Sequence, residues 1–407
     1  MTATLAGTRT ARRRRHPVGS GALVIGGDYQ GLGIARSLGR HGIPVSVLDD
    51  ERSIARGSRY VQHTVRVPDL RGEPETVAAL ASARERLGLD GWVLYPTRDE
   101  TVAVLARHRR ELSRWFRVPT PDWPAVRACW DKRETYAVAE RLGIPHPLTW
   151  VPADESDLAA AAGSEPLVIK PAIKEHFIYA TRAKAWRADT TAELRDRFRS
   201  AVEVTGPGEV LVQELVPGGG SEQYSYCALV RDGRALASMT VRRRRQHPSD
   251  FGRASTYVET VELPELEAPS LRWLAEVGFS GLVEVEYKRD PRDGRFKLLD
   301  VNARTWGYHS LGAAAGVDFP YLLFRAETGD PPAGSEPVRA RPGVRWIRLL
   351  TDVPNAARDL RRGDLRLRDY LGSLRGVDTE AVFSRTDPVP GLYELALLPY
   401  LALRRGL

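Results

Sequence analysis

The sequence contains little cysteine and no long hydrophobic run. Its two cysteines among 407 residues, Cys129 and Cys227, are too few for a disulfide framework or a cysteine-based zinc site, so we expect a reducing, cytoplasmic setting. No stretch reaches the roughly 18 apolar residues of a membrane span, so no transmembrane segment is expected. The closest, 391–403, predicts a terminal helix packed on the core or on a partner rather than one lying on a membrane surface.

Lysine is also scarce, because only six of the 60 basic residues are lysine and 54 are arginine. The position of each lysine is therefore informative. The formal net charge is +8, but Arg9 and the run 12–15 carry five positive charges in a segment without acidic residues. We interpret 1–20 as a disordered basic tail. The remaining excess charge is small and does not by itself indicate a nucleic-acid-binding protein.

The predicted secondary structure changes along the rest of the chain. A strand at 22–25, a helix at 31–41 and a strand at 44–48 open a segment of alternating strands and helices, which is typical of a doubly wound α/β domain. A helix at 125–142 follows, and from Val210 most elements are strands separated by turns. The predicted units are the tail (1–20), an α/β domain (21–122), a segment with a linker helix (123–208), a strand-rich segment (209–331) and a C-terminal extension (332–407).

A glycine-rich turn, 26–33, follows the first strand and opens the first helix, and Asp49 ends the next strand. Glycines that approach a pyrophosphate and an acid that binds a ribose are the parts of a dinucleotide site. The spacing is imperfect, and many α/β domains use glycines simply to turn tightly. An NAD(P)-dependent oxidoreductase therefore stays open as an alternative.

Two of the rare lysines lie where phosphate-binding groups would be useful. Lys170 ends an apolar strand, 167–170, and Lys132 lies on a helix after a Trp-Asp pair. A compact ammonium group on a flexible stem suits phosphate oxygens. Either lysine alone is equally compatible with an ordinary solvated charge, so the pair needs further support.

That support begins with the segment 212–218, an apolar strand that ends in Glu214, Leu215 and Val216 before a Pro-Gly turn. Backbone N–H and C=O groups at such a strand end can meet the edge of an adenine, and the later Glu222 can accept hydrogen bonds from ribose hydroxyls. By itself the segment is better explained as a strand that runs into a turn.

The strongest pattern is a predicted hairpin formed by 282–287 and 298–304, with a typical Asp-Gly turn between them. Antiparallel pairing across this turn brings Glu286 close to Asp300 and Asn302, because side chains alternate between the two faces of a sheet. Carboxylates that face one another repel unless a cation lies between them. Oxygen ligands of this kind suit Mg²⁺, which takes the rest of its shell from water and substrate phosphates.

Arg304 lies two residues beyond Asn302 and points to the same face, where a guanidinium group can stabilise a transferring phosphoryl group. Pairing of Glu286 with neighbouring arginines is the alternative, but it leaves Asn302 and Arg304 without a role. The hairpin therefore favours a site for a nucleoside triphosphate and a metal ion.

Taken in order, these motifs resemble the signature of the ATP-grasp superfamily, in particular carboxylate-amine ligases such as D-aspartate ligases, and more distantly biotin carboxylase and carbamoyl phosphate synthetase. The resemblance spans about 21–331. It implies a Rossmann-like pre-ATP-grasp domain of α/β class, followed by a two-lobed ATP-grasp domain of α+β class. The motifs that carry it are Lys132, Leu-Val-Ile-Lys170-Pro, Gln-Glu214-Leu-Val-Pro-Gly, Glu286 and Asp300-Val-Asn302-Ala-Arg304.

The resemblance also implies roles for individual residues. ATP would be bound by Lys132, Lys170, Lys184, Glu214, Leu215, Val216 and Glu222, with the phosphates on the lysines, adenine on 214–216 and ribose on Glu222. Mg²⁺ would be held by Glu286, Asp300 and Asn302, with two ions expected and Mn²⁺ as an alternative metal. Arg304 would meet the γ-phosphate or an acyl phosphate.

Two departures from the family pattern stand out. Asp300 occupies a position where the family usually has glutamate, so its contact with the metal would be shorter in reach or mediated by water. After Lys170 the sequence 171–176 is not the glycine-rich, phosphate-covering loop of many relatives. Lys174 and Lys184 are expected to supply charge there instead.

An arginine run, 242–245, ends a predicted strand at 236–243. If strand geometry continues, either Arg243 and Arg245 or Arg242 and Arg244 face the site, where their planar forks would bind a carboxylate substrate. A nucleic-acid surface is disfavoured because no aromatic residue is interleaved with the arginines. We expect Arg243 to be catalytic and Arg242, Arg245, Lys174 and His309 to contact substrate.

The leading hypothesis is an ATP- and Mg²⁺-dependent ligase that joins a carboxylate to an amine through an acyl phosphate and releases ADP and phosphate. The expected partners are small molecules, with an amino acid as the amine, and a homo-oligomer is left open. No nucleic acid is expected, and no Cys or Ser nucleophile with a partnered base is apparent. The alternatives are the oxidoreductase and a non-catalytic basic scaffold that binds RNA or DNA.

Overall fold

Three β-sheets organise the chain in the computed structural model, which describes residues 20–248, 252 and 254–400. The predicted basic tail, apart from Ser20, and the last residues, 401–407, lie outside the described residues. No helix in the described part is both long enough and apolar enough to cross a membrane.

The first domain is an α/β unit built on a four-stranded parallel sheet in the order β3-β2-β1-β4. Its strands are β1 (Ala22–Ile25), β2 (Val45–Asp49), β3 (Val61–Arg66) and β4 (Val93–Pro96). Its helices are α1 (Tyr29–Arg40), α2 (Glu73–Leu87), α3 (Asp99–Arg107) and α4 (Arg109–Leu112). The apolar strands are fully buried between helices, as expected for a parallel sheet.

Two helices, α5 (Trp123–Trp130) and α6 (Lys132–Arg141), replace the single helix predicted over 125–142. Asp131 interrupts the helix with an extended backbone, and its side chain caps α6 by accepting a hydrogen bond of 2.9 Å from the backbone N–H of Arg133. The break was not visible in the apolar periodicity. It makes Lys132 the first residue of α6.

The small lobe contains a four-stranded antiparallel sheet in the order β5-β8-β6-β7. Its strands are β5 (Thr149–Trp150), β6 (Leu167–Pro171), β7 (Trp186–Ala188) and β8 (Val210–Glu214). Its helices are α7 (Lys174–Thr181) and α8 (Thr191–Thr205), with a 3₁₀ helix at Glu155–Ala160. The segment after Lys170, which lacks the glycine-rich loop of many relatives, leads directly into α7.

The large lobe is an eight-stranded sheet in the order β13-β12-β9-β10-β11-β15-β16, with β14 paired to β10. Its strands are β9 (Gln223–Arg231), β10 (Arg234–His247), β11 (Ala254–Thr260), β12 (Gly281–Arg289), β13 (Phe296–Asn302), β14 (Val338–Arg339), β15 (Arg345–Ile347) and β16 (Thr379–Glu380). Its helices are α9 (Glu267–Glu276), α10 (Ser310–Ala314), α11 (Phe319–Glu327), α12 (Leu349–Arg362), α13 (Leu367–Leu374) and α14 (Val389–Ala396).

The described part of the predicted C-terminal extension, 332–400, adds strands to this sheet. Its strands β14 and β15 pair with β10 and β11, and β16 extends the sheet further. Arg36 of α1 also forms a buried ion pair of 2.9 Å with Asp387. Strands of only two or three residues carry no readable alternation, so the sequence could not place them in the sheet.

The glycine-rich turn after β1 packs tightly against its own neighbours. A Cβ atom on Gly31 would lie 2.1 Å from the carbonyl oxygen of Gly26, and one on Gly27 would lie 2.3 Å from the hydroxyl oxygen of Ser53. These contacts are with backbone and buried side chains of the same domain. The absence of a side chain at these positions is therefore explained by packing alone.

We predict that Gly31→Ala destabilises the first domain, because the new methyl group meets a backbone oxygen that cannot move freely. Overpacking of this kind costs typically about 1–3 kcal/mol. The measurement is thermal unfolding followed by circular dichroism, in which a clear fall in melting temperature is expected.

The matched control is Gly372→Ala in α13, where a Cβ atom would meet nothing within 4 Å. Alanine is favoured over glycine in a helix by roughly 1 kcal/mol, so this variant should melt at the same or a higher temperature. Equal melting temperatures for wild type and Gly31→Ala would contradict the packing explanation.

Candidate functional site

A cleft lies between the small sheet, the large sheet and the turn that follows β4. It consists of two adjoining chambers with empty volumes of about 800 and 1080 Å³. Predicted site residues lining the first chamber are Lys132, Lys170, Lys174, Lys184, Glu214, Leu215, Val216, Glu286 and Asp300. Those lining the second are Lys174, Lys184, Arg243, Glu286, Asn302 and Arg304. The structure therefore brings most of the predicted residues together.

The hairpin β12–β13 forms as predicted, and a register shift between Glu286 and Tyr287, which the sequence pattern did not indicate, sets its pairing beyond the turn. Glu286 lies opposite Asp300 and Glu284 lies opposite Asn302 in the antiparallel ladder. All four side chains are buried, with 5–8% of their surface exposed. The hairpin therefore concentrates negative charge where water cannot screen it.

Cations from other elements balance this charge. Lys132 Nζ lies 2.7 Å from Asp300 Oδ1, and Arg243 Nη2 lies 3.2 Å from Glu286 Oε2. Burial alone would raise the pKa of Asp300, but the ammonium groups of Lys132 and Lys184 hold that pKa below its usual value. Burial acts on Glu286 in the same direction, and Lys184 and Arg243 likewise hold its pKa below the usual value. Both carboxylates are therefore ionised at neutral pH.

Glu284 behaves differently, although it belongs to the same strand face. Burial, followed by the neighbouring charge of Glu286, raises the pKa of Glu284 to about 7. Its carboxylate accepts hydrogen bonds from the hydroxyl groups of Tyr308 and Ser225 and from the amide of Asn302. The sequence placed Glu284 on this face but gave it no role.

The oxygen ligands of the hairpin fit a metal ion that arrives with phosphate. Among the described residues, no group of three or more His, Cys, Asp or Glu side chains is arranged to hold an ion by itself. Glu286, Asp300 and the amide oxygen of Asn302 offer two carboxylates and one neutral oxygen. Mg²⁺ in nucleotide sites uses one or two carboxylates and completes its shell with phosphate oxygens and water, so this donor set suits it.

Lys170 and Lys184 face the first chamber without a carboxylate contact. Lys170 Nζ donates to Tyr136 Oη and Gln213 Oε1, each at 2.7 Å, and burial, together with nearby Lys132, lowers the pKa of Lys170 well below its usual value. Lys184 is half-buried and makes no hydrogen bond or ion pair with any residue the structure describes. An incoming anion would meet two lysine side chains that have no acidic partner among the described residues.

The end of β8 leaves one backbone donor for a ligand. The backbone N–H groups of Glu214 and Leu215 already donate to the carbonyl oxygens of Leu148 and Pro166. The carboxylate of Glu214 is held by Lys297 and Arg292, so it is engaged in ion pairs at the edge of the chamber. Within the described chain the backbone N–H of Val216 meets no acceptor, which leaves it available to the edge of a heterocycle.

The arginine run does not alternate in the way a regular strand would. The register of β10 on β11 shifts between Arg243 and Arg245, so Arg243 lies opposite Val258 while Arg245 lies opposite Tyr257. Residues opposite one another share a face, so these two arginines point to opposite faces of the sheet. Only Arg243 enters the cleft.

The other three arginines are held elsewhere, and Arg242 and Arg245, which were expected to contact substrate, line neither chamber. Arg245 forms a bidentate pair with the fully buried Asp352 at 2.8 and 2.9 Å. Arg242 donates to the backbone of Ser221 and lies 3.5 Å from Glu222. Arg244 pairs with Glu259. The run is therefore a set of ion pairs and not an open basic surface.

Two further predicted residues lie outside both chambers. Glu222 ends a short 3₁₀ helix and faces Arg242, so its predicted contact with ribose is not supported. His309 is 1% exposed, and its Nε2 lies 3.0 Å from the carbonyl oxygen of Gln30. Burial lowers the pKa of His309, which is consistent with a neutral side chain packed between domains.

The sequence reasoning missed Asp99, which is the first residue of α3. Arg304 donates to Asp99 through Nε at 2.9 Å and Nη2 at 3.0 Å, and Lys174 also contacts this carboxylate. The signal was present, because Asp99 directly follows a parallel strand, and ligands in such sheets bind at the carboxyl ends of strands.

The groups that would form a dinucleotide site at the glycine turn are engaged with other residues of the first domain. Asp49 is 2% exposed, accepts a hydrogen bond of 2.7 Å from the backbone N–H of Gly27 and pairs with Arg98 at 3.0 Å. Burial raises the pKa of Asp49 to about 6 against the opposing effect of Arg98. Its carboxylate is therefore committed within the domain, and nothing here favours the oxidoreductase alternative.

Known proteins with a similar sequence or fold were found by comparison. A family model described as "ATP-grasp in the biosynthetic pathway with Ter operon" matches residues 208–349. A D-aspartate ligase from Enterococcus faecium is 25% identical over 301 residues, which cover 69% of this chain and 70% of that protein.

Solved structures agree with the fold. The L-amino acid ligase from Bacillus licheniformis superposes with a TM-score of 0.58 at 16% identity, covering 77% of this chain and 75% of that one. The biotin carboxylase domain of the 2-oxoglutarate carboxylase from Hydrogenobacter thermophilus, solved with MgADP, gives a TM-score of 0.62 at 14% identity, covering 80% and 73%. These comparisons agree: residues 208–349 match an ATP-grasp family model, and the chain is similar in sequence, over about two thirds of its length, to a D-aspartate ligase and in fold to an L-amino acid ligase and a biotin carboxylase domain.

Proposed function

We propose that this protein is an ATP- and Mg²⁺-dependent ligase that joins a carboxylate to an amine through an acyl phosphate and releases ADP and phosphate. The observation that carries the proposal is the buried set Glu286, Asp300 and Asn302, which faces ammonium groups across one cleft. Such an arrangement suits a polyphosphate and its metal ion better than it suits any neutral ligand.

ATP would lie in the first chamber. The backbone N–H of Val216 would meet the adenine edge, and Lys170 and Lys184 would contact the phosphates. Phosphate oxygens would restore the charged form of Lys170, since an adjacent anion raises the pKa of a buried lysine. Lys132, already paired with Asp300, lies where the phosphates and the metal ligands meet.

Glu286, Asp300 and Asn302 would hold Mg²⁺, which supplies positive charge to the phosphate oxygens during transfer. In the first step a substrate carboxylate oxygen forms a bond to the γ-phosphorus while the bond to the β-phosphate oxygen breaks, which releases ADP. In the second step the amine forms a bond to the acyl carbon, loses a proton, and phosphate departs with the former carboxylate oxygen. Arg304 and Arg243 face this second chamber and would stabilise the charge on the transferred group.

An amino acid is the substrate class that the relatives favour. The sequence relative is named as a D-aspartate ligase and one structural neighbour as an L-amino acid ligase. The second chamber contains both guanidinium groups and carboxylates, which suits a substrate that carries both charges. We extend this class to the present chain as part of the proposal.

The central experiment incubates the protein with Mg·ATP and mixtures of amino acids and small carboxylic acids, and follows ADP and new masses together. We expect ADP only in mixtures that also yield an amide. With the reactive carboxylate labelled with ¹⁸O, the released phosphate should carry the label, because the carboxylate oxygen stays on phosphorus when the amine displaces it.

Removal of divalent cations with a chelator should stop both products, and added Mg²⁺ should restore them. ADP release without an amide, or amide formation with unlabelled phosphate, would exclude the acyl-phosphate route. Parallel titration with NADPH should show no tight binding, since Asp49 is engaged.

We further predict that Glu286→Gln and Asp300→Asn each lower the rate of ADP release by at least about 100-fold, the usual scale for loss of a group that stabilises transferring charge. Both substitutions keep the shape of the side chain and remove one buried negative charge, so the folded chain should persist. Coupled ADP assays and melting temperatures provide the measurements.

Glu267→Gln is the matched control, because Glu267 pairs with Arg339 on the surface of the same lobe. This variant should keep the wild-type rate. If Glu286→Gln and Asp300→Asn melt like wild type and still release ADP at its rate, the assignment of these residues to the metal is wrong.

A further inference from the structure

A carboxylate of the first domain reaches into the catalytic cleft and touches cations from both lobes. Asp99 lies at the N-terminus of α3, and its side chain is 12% exposed. It receives two hydrogen bonds from Arg304, which follows β13 of the large lobe. It also contacts Lys174, the first residue of α7 in the small lobe. One side chain thus joins three parts of the fold.

The geometry at Arg304 is that of a positioned group. The pairing with Asp99 is bidentate, at 2.9 and 3.0 Å, so it sets both the location and the plane of the guanidinium. A weaker contact of 3.4 Å from Nη2 to the amide oxygen of Asn302 lies on the metal side. Arg304 is therefore anchored on one side by Asp99 and directed on the other toward the hairpin.

The first turn of α3, which contains Asp99, also holds α7 in place. Glu100 accepts a hydrogen bond from the hydroxyl of Tyr179, and Arg71 stacks over the ring of Tyr179 at 4.4 Å. Lys174 and Tyr179 are thus both held by the first domain, although they belong to the small lobe. Helix α7, which follows Lys170 in place of a glycine-rich loop, is therefore held by contacts from outside its own lobe.

The electrostatics agree with this arrangement. Arg304 and Lys174 repel one another and would separate if no anion lay between them. Burial would raise the pKa of Asp99, but Arg304 and then Lys174 hold it well below its usual value, so the anion persists at any pH of interest. Preorganised charge of this kind acts in the transition state without further rearrangement.

We propose that Asp99 is a positioning residue that aims Arg304 and Lys174 at the phosphoryl group, and that the first domain thereby contributes directly to phosphoryl transfer. This inference rests on the proposed function, since it concerns the same reaction. The proposed role of Asp99 needs no contact with ATP or with its metal ion. Its effect passes through the two cations that it orients.

The test compares Asp99→Asn with wild type in steady-state kinetics and in binding. We expect kcat to fall about 10-fold to 100-fold, while the KM for ATP and the Kd for ATP change by less than about threefold, because the cations stay in the cleft but lose their orientation. The affinity for ADP with Mg²⁺ and aluminium fluoride, which imitates the transferring phosphoryl group, should fall in parallel with kcat. Asp99→Glu, which keeps the charge, should recover part of both losses.

Asp90→Asn is the matched control, since Asp90 pairs with Arg84 on the surface of the same domain and should leave every parameter unchanged. A purely structural role would instead weaken ATP and aluminium fluoride binding equally and lower the melting temperature. That result, or a wild-type kcat and analogue affinity in Asp99→Asn, overturns the inference. A wild-type protein that releases no ADP with any substrate defeats the proposed function instead, and the analogue titration still reports on Asp99.

Discussion

Three carboxylates share one buried hairpin, and the need to balance their charge governs the cleft. Glu284, Glu286 and Asp300 are each less than one-tenth exposed. Removing an ion from water costs several kcal/mol unless a partner and hydrogen bonds compensate. Lys132 and Arg243 supply that compensation from two other elements, α6 and β10. The hairpin can therefore keep its charge only when these elements pack around it, so the same constraint shapes both the fold and the site.

The charges are not fully paired on the side of the cleft where a ligand would enter. Lys170 is bonded only to neutral groups, and Lys184 has no hydrogen bond or ion pair among the described residues. A site that holds buried anions on one wall and lysine side chains without acidic partners on the other favours a ligand with phosphates and a divalent cation. This distribution explains why the proposed chemistry relies on positioning and electrostatic stabilisation rather than on a covalent nucleophile.

The first domain resembles a dinucleotide-binding domain, but it contributes to the cleft of the other two lobes. Side chains of the same domain pack against its glycine turn, and the carboxylate of Asp49 accepts a hydrogen bond from Gly27 and pairs with Arg98. What the domain retains from its parallel sheet is the carboxyl end of β4, where Asp99 enters the cleft of the two lobes. Doubly wound α/β domains bind ligands at the carboxyl edge of the sheet. In this protein that edge contacts the two lobes instead.

Local patterns determined much of this protein from its sequence. Alternation along 282–287 and 298–304, joined by a short turn, indicated the hairpin and the shared face of its carboxylates, but a register shift between Glu286 and Tyr287 is what brings Glu286 opposite Asp300. Tertiary packing decided two local breaks. By local propensity alone the helix could have continued through Asp131, and strand β10 could have kept its register between Arg243 and Arg245. Likewise, the burial of Asp99 against Arg304 joins residues 205 positions apart. The sequence by itself determined the hairpin and the rare lysines, whereas only the folded chain decided which arginine enters the cleft and which acid orients it, because those choices depend on contacts between distant segments.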